Sequence, residues 1–128
     1  MRKSNIFVHI ELTKLARELN ASSSLFKDRL KSQAGYFNII TPNYFSDTLS
    51  EEWNEIVKEV KNKGPKTDSQ GRVIANAVVN TIDQMSLQAC DHLVKRILKL
   101  QQKVEKEFDW QLSDSVVSGY FKEKFINT

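Results

Sequence analysis

The chain has 128 residues, 40% of them hydrophobic and 27% charged, with a formal net charge of +3. That is enough for one buried core and too little for two well-separated domains, and the composition excludes a disordered or fibrous chain. No apolar run approaches the roughly 20 residues that cross a bilayer, Glu11 interrupts the N-terminal segment before a signal-peptide core can form, and the single cysteine, Cys90, has no disulfide partner; a cytoplasmic protein with no membrane partner is the expectation.

Residues 5–10 (NIFVHI) are β-prone and suggest a short strand, whereas residues 11–20 place Leu12, Leu15, Ala16 and Leu19 on one helical face. Ser22, Ser23 and Ser24 offer N-caps for a second helix, with Leu25, Phe26 and Leu30 apolar and Gly35 placed to end it. Tyr36 to Phe45 gathers four aromatics around Pro42 and reads as a short strand followed by a packed loop. Ser50 then caps a helix (EEWNEIVKEVKNK) with acids in its first turn, lysines in its last and Gly64-Pro65 as its stop signal; its apolar face is Trp53, Ile56, Val57 and Val60. Lys66 to Gly71 is polar and turn-like, the best candidate for a mobile loop.

From Ile74 to Phe108, apolar or small residues recur at every third or fourth position, the longest helical pattern in the chain. As one helix, Arg72 to Phe108 would extend about 55 Å, against roughly 36 Å for a compact domain of this size. It must therefore break, with Asn80-Thr81 the suggested point, or project and find a partner. The step of about 3.8 residues disfavours a heptad zipper, and extra apolar residues such as Val73, Val79 and Leu98 suit a bundle interior or a dimer core. A last helix is expected from Ser113 or Asp114 towards Phe125. The fold class that follows is mainly α: a small helical bundle with one long helix in its C-terminal half and a short two-stranded element near the N-terminus. One domain covers 1–128, with a basic part (1–45) and a helical core and oligomerisation part (46–128).

No set of catalytic residues is legible. Cys90, Asp91 and His92 adjoin in sequence, but residues two apart on a helix point about 200° apart, so Cys90 and His92 cannot act together. Glu51, Glu52, Glu55 and Glu59 alternate with lysines as on a solvated helix face. Glycine-rich phosphate loops and zinc spacings are absent, so neither a cofactor nor a metal is expected. Trp53 and Trp110 suit hot spots of an interface but fit a core better.

The distribution of charge is more informative. Met1 to Gln33 carries seven Lys/Arg against three acids, while the rest of the chain nearly cancels. Within that stretch, residues 12–31 (LTKLARELNASSSLFKDRLK) resemble the helix-turn-helix of bacterial DNA-binding proteins. Ala16 stands where two helices cross closely, Leu15 and Leu19 make the first helix's core contacts, and Asn20-Ala21 take the turn. The resemblance implies a recognition helix opened by Ser22, Ser23 and Ser24, whose Lys27, Asp28, Arg29 and Lys31, with Arg17, would contact double-stranded DNA. Two departures are Asn20 in the usual glycine position and Arg29 at a late core position, which leaves Leu25, Phe26 and Leu30 to close the core in a shifted phase. The expected function is a non-catalytic binding module: a DNA-binding regulator dimerising through the long helix or, as the alternative, an adaptor, inhibitor or structural subunit whose partner is another protein. Under the DNA reading, removing Lys27 and Arg29 weakens binding and leaves the fold intact.

Overall fold

The computed structural model describes residues 4–20 and 26–117. The protein is a small helical bundle in the order α1 (Ile6–Asn20), α2 (Phe26–Ser32), α3 (Tyr36–Ile39), a 3₁₀ turn (Pro42–Tyr44), α4 (Ser50–Val60), β1 (Lys66–Thr67), β2 (Val73–Ala75), α5 (Ala77–Gln84) and α6 (Leu87–Val117). Helix α6 is the spine. Its buried residues Cys90, Leu93, Val94, Ile97, Leu100 and Val104 recur at helical spacing and face α1, α2 and α4. Against it α1 buries Val8, Leu12, Leu15 and Leu19. The two helices run antiparallel, since Gln101 reaches Thr13 while His9 stacks on Phe108 further along.

Several local expectations change for identifiable physical reasons. Residues 6–10 are helical, not extended, because the Asn5 side chain accepts the Val8 N–H at 3.0 Å as an N-cap and Val8 then continues the buried face of Leu12 and Leu15. Tertiary burial overrides β propensity here. The same holds at residues 36–44, where Phe37 and Ile40 are buried three positions apart on a helical turn. Gly35 is right-handed (φ −59°), so it leads into α3 and does not cap α2 with a left-handed turn. The two-stranded element is a hairpin in the middle of the chain, at residues 66–75. Its tip is ordered by Asp68, whose carboxylate accepts the backbone N–H of Gln70 and Arg72 and the Arg72 guanidinium at 2.8 Å. Those bonds, the Arg72 N–H first, hold the Asp68 carboxyl below its ordinary value.

The long apolar pattern does break, at Met85-Ser86 and not at Asn80-Thr81. Ser86 is the reason, since its hydroxyl accepts the Ala89 N–H at 3.0 Å and caps α6. Asn80 and Thr81 stay helical and turn inward. Asn80 donates to the Gly64 carbonyl at 2.8 Å, and the Thr81 hydroxyl accepts the Lys63 N–H at 3.0 Å. These polar residues thus hold the turn after α4, where Gly64 takes a left-handed φ of 67°. No new helix starts at Ser113 or Asp114, because α6 is continuous to Val117; the remainder of the expected last helix lies outside the described residues.

The densest part of the core is aromatic. Trp53 is fully buried on α4 and stacks between Phe37 and Phe45, each with ring centroids at 5.6 Å, while its indole N–H donates to the Ile40 carbonyl at 2.8 Å. Replacing Trp53 with Phe keeps most of the stacking but leaves that carbonyl without its donor. The expected cost is about 1–3 kcal/mol, read as a lowered urea midpoint at unchanged m-value.

Candidate binding surface

The residues proposed to meet DNA divide into three groups. Ser22, Ser23 and Ser24 lie outside the described residues. Lys27, Arg29 and Lys31 are engaged within the molecule. The Lys27 ammonium donates to the carbonyls of Asp83 and Met85 at 3.1 and 2.7 Å, Lys31 bonds the Asp83 carboxylate at 2.7 Å, and Arg29 donates to the Glu18 carbonyl at 3.2 Å. Of the other two, Asp28 is exposed and near Lys31, 3.6 Å away. Among the described side chains of α2, Asp28 and Ser32 face solvent most openly, an uncharged or acidic edge. Leu30 is buried in the shifted phase, and Ala16 is buried on α1.

Of the five described candidates, Arg17 alone is exposed with no hydrogen-bond or ion-pair partner among the described residues. It borders two shallow hollows. One, of about 360 Å³, lies between α1 and α6 and includes Thr13, Asn20, Leu98 and Gln101. The other, of about 240 Å³, runs towards the start of α1 along Thr13, Ile10 and His9. Because Thr13 and Arg17 belong to both, the hollows form one furrow beside α1.

The N-terminal half of α1 supplies what the strand reading concealed. Ile6, Phe7 and Ile10 are 58%, 37% and 45% exposed. At 100° per residue, Ile6, Ile10, Lys14 and Arg17 form a stripe roughly opposite the buried face. Phe7 lies beside it, with its ring edge-on to Tyr44 at 5.1 Å. Single exposed apolar residues are ordinary on any protein, but several on one helix face are not. Reading residues 5–20 as one helix would have revealed this second stripe in the sequence.

Catalytic constellations do not gather among the described residues. His9 and Phe108 stack with ring centroids 4.5 Å apart, and His92 lies sixteen residues back along α6, about 24 Å away. Cys90 is fully buried, which pushes its thiol up and away from the reactive thiolate. Asp91 pairs with Lys95 at 3.0 Å. No three His, Cys, Asp or Glu side chains among the described residues are grouped to hold a metal, and no helix there is long and apolar enough to cross a membrane. Comparison with protein-family models, with curated proteins and with solved structures finds no match to this chain.

The cations of α2 thus have a structural task, which alters the expectation that their removal spares the fold. Lys27→Met is expected to cost about 1 kcal/mol in urea unfolding, because two carbonyls at the end of α5 lose their donor. The Lys31–Asp83 bond has its own pH signature. The Lys31 bond holds the Asp83 carboxyl below its ordinary value of 3.8, and the Asp83 bond holds Lys31 above its ordinary 10.5. Asp83 therefore contributes stability present above 3.8 and lost as pH falls through its depressed folded value. Lys31 contributes below 10.5 and loses it as pH rises through its raised folded value. Lys31→Met should consequently lower stability at neutral pH and converge with the wild type on the acid limb of a pH titration of the urea midpoint.

Proposed function

We propose that this chain is a protein-binding module that docks its partner on the outer stripe of α1. The observation that carries this reading is the set of exposed apolar residues Ile6, Phe7 and Ile10 on the side of α1 away from the core. Their exposure contributes nothing to the monomer's core, whereas burial against a partner would gain hydrophobic free energy at each of them. The furrow beside the stripe adds shape, and helix-lined grooves of this kind suit helical ligands.

The nucleic-acid reading is the second choice, and the basic surplus of residues 1–33 supports it. Against it stands the engagement of Lys27, Arg29 and Lys31 inside the fold, which leaves Arg17 as the open described cation of the eight. A dimer through the apolar stripe of α6 is likewise disfavoured, since Leu93, Ile97, Leu100 and Val104 are buried against the chain's own α1, α2 and α4.

A photo-reactive residue placed at Ile6 or Ile10 in living cells should yield a discrete cross-linked protein. The same residue at Lys95, on the exposed side of α6, should not. With the cross-linker at one of these two positions, serine at the other should abolish the adduct, and Ile6→Ser or Ile10→Ser alone should change stability by no more than about 0.5 kcal/mol. Absence of any adduct at α1, together with steeply salt-dependent binding to random-sequence duplex DNA in fluorescence anisotropy, would transfer the assignment to nucleic acid.

A further inference from the structure

The chemistry of the α1 stripe defines its occupant more narrowly, an inference that rests on the protein-binding reading. The stripe changes character along its length. Ile6 and Ile10 form an apolar end, and Lys14 and Arg17 form a basic end. Lys14 is shared with Glu11 at 3.2 Å, whereas Arg17 has no described partner and borders both hollows, the larger of which Glu105 also lines. From His9 to Asn20 the furrow follows α1 for about 17 Å, three helical turns.

A second copy of this chain fits poorly. Packed antiparallel about Ile10, two α1 helices would set each Lys14 on the other's Ile6, stranding a cation on apolar surface. Packed parallel, they would oppose Lys14 to Lys14 and Arg17 to Arg17. Charge complementarity instead requires acids opposite Arg17 and apolar residues opposite Ile10 and Ile6.

We infer that the partner presents an amphipathic helix antiparallel to α1, with acidic residues in its first turn against Arg17 and aliphatic residues in the following turns against Ile10 and Ile6. The antiparallel sense has a physical basis. It brings the partner helix's N-terminus to Arg17, and carboxylates in a first turn are favoured by the helix dipole. An acid seated beside Arg17 gains a charge-assisted hydrogen bond, bidentate where both carboxylate oxygens reach the guanidinium.

Two synthetic helical peptides test this. Both carry leucines at helical spacing in their later turns; one has glutamates in its first turn and the other lysines in those places. Titration of the ¹⁵N-labelled full chain should show the glutamate peptide saturating shifts of the Ile10, Thr13 and Arg17 amides, with the lysine peptide weaker by about tenfold or more. Arg17→Glu should reverse that preference, and Ile10→Ser should weaken both peptides. Equal binding of the two peptides, insensitive to Arg17→Glu, would overturn the acidic partner while leaving the α1 docking face and its cross-linking test untouched. Failure of both peptides to shift these amides would overturn the helical occupant. A concentration-dependent dimer in light scattering, abolished by Ile10→Ser, would replace the acidic helix with a second copy of the chain.

Discussion

The last carbonyls of a helix have no intrahelical donors, and the end of α5 is where this constraint organises the molecule. The apolar pattern of the C-terminal half is too long to run straight through a domain of this size, so it breaks at Met85-Ser86. The break leaves carbonyls open on one side, which Lys27 takes, and N–H groups open on the other, one of which Ser86 takes. A single ammonium on α2 thereby fixes that short helix against the junction of α5 and α6. Lys31 reinforces it through the Asp83 carboxylate.

From that placement follows the fate of the α2 cations Lys27, Arg29 and Lys31. Lysines and arginines on a helix after a turn invite a nucleic-acid interpretation because position in sequence says nothing of what lies opposite. Here the opposite groups are carbonyls and carboxylates of α1 and α5, so charge that looks available is already committed. The open surface moves to α1, where one helix has two apolar sides. Its inner side completes the core with α6, and its outer side combines isoleucines with a guanidinium that has no partner among the described residues.

Much of the architecture was legible in the sequence, for reasons that concern particular elements. The helical class, the presence of α4 and the need to break the long pattern follow from periodicity, terminal charges and Gly64-Pro65, all local in the chain, although Ser50 is the first residue of α4 and not its cap, and the helix ends at Val60. Trp53 was legible as core because it sits in register with Ile56 and Val60. What was hidden depended on distant groups. The capping of α1 by Asn5 competes with strong β propensity and wins through burial of Val8 against the rest of the bundle. Asn80 and Thr81 look like helix breakers until their partners, the Gly64 carbonyl and the Lys63 N–H, are in view. Among the candidate binding residues, Arg17 groups in the sequence with the cations of α2, whereas in the structure it lies on a stripe of α1 that begins at Ile6, in a segment that reads as strand.

The antiparallel pairing of α1 with α6 also governs the order in which the protein can be made. The bond from Gln101 to Thr13 spans 88 residues, so α1 leaves the ribosome well before the part of α6 on which it packs. At ordinary elongation rates that interval is on the order of ten seconds. Throughout it, α1 has neither apolar side covered by α6, and the nascent chain must be kept from sticking elsewhere. During synthesis the outer stripe is thus half of an exposed hydrophobic segment of the kind general chaperones bind.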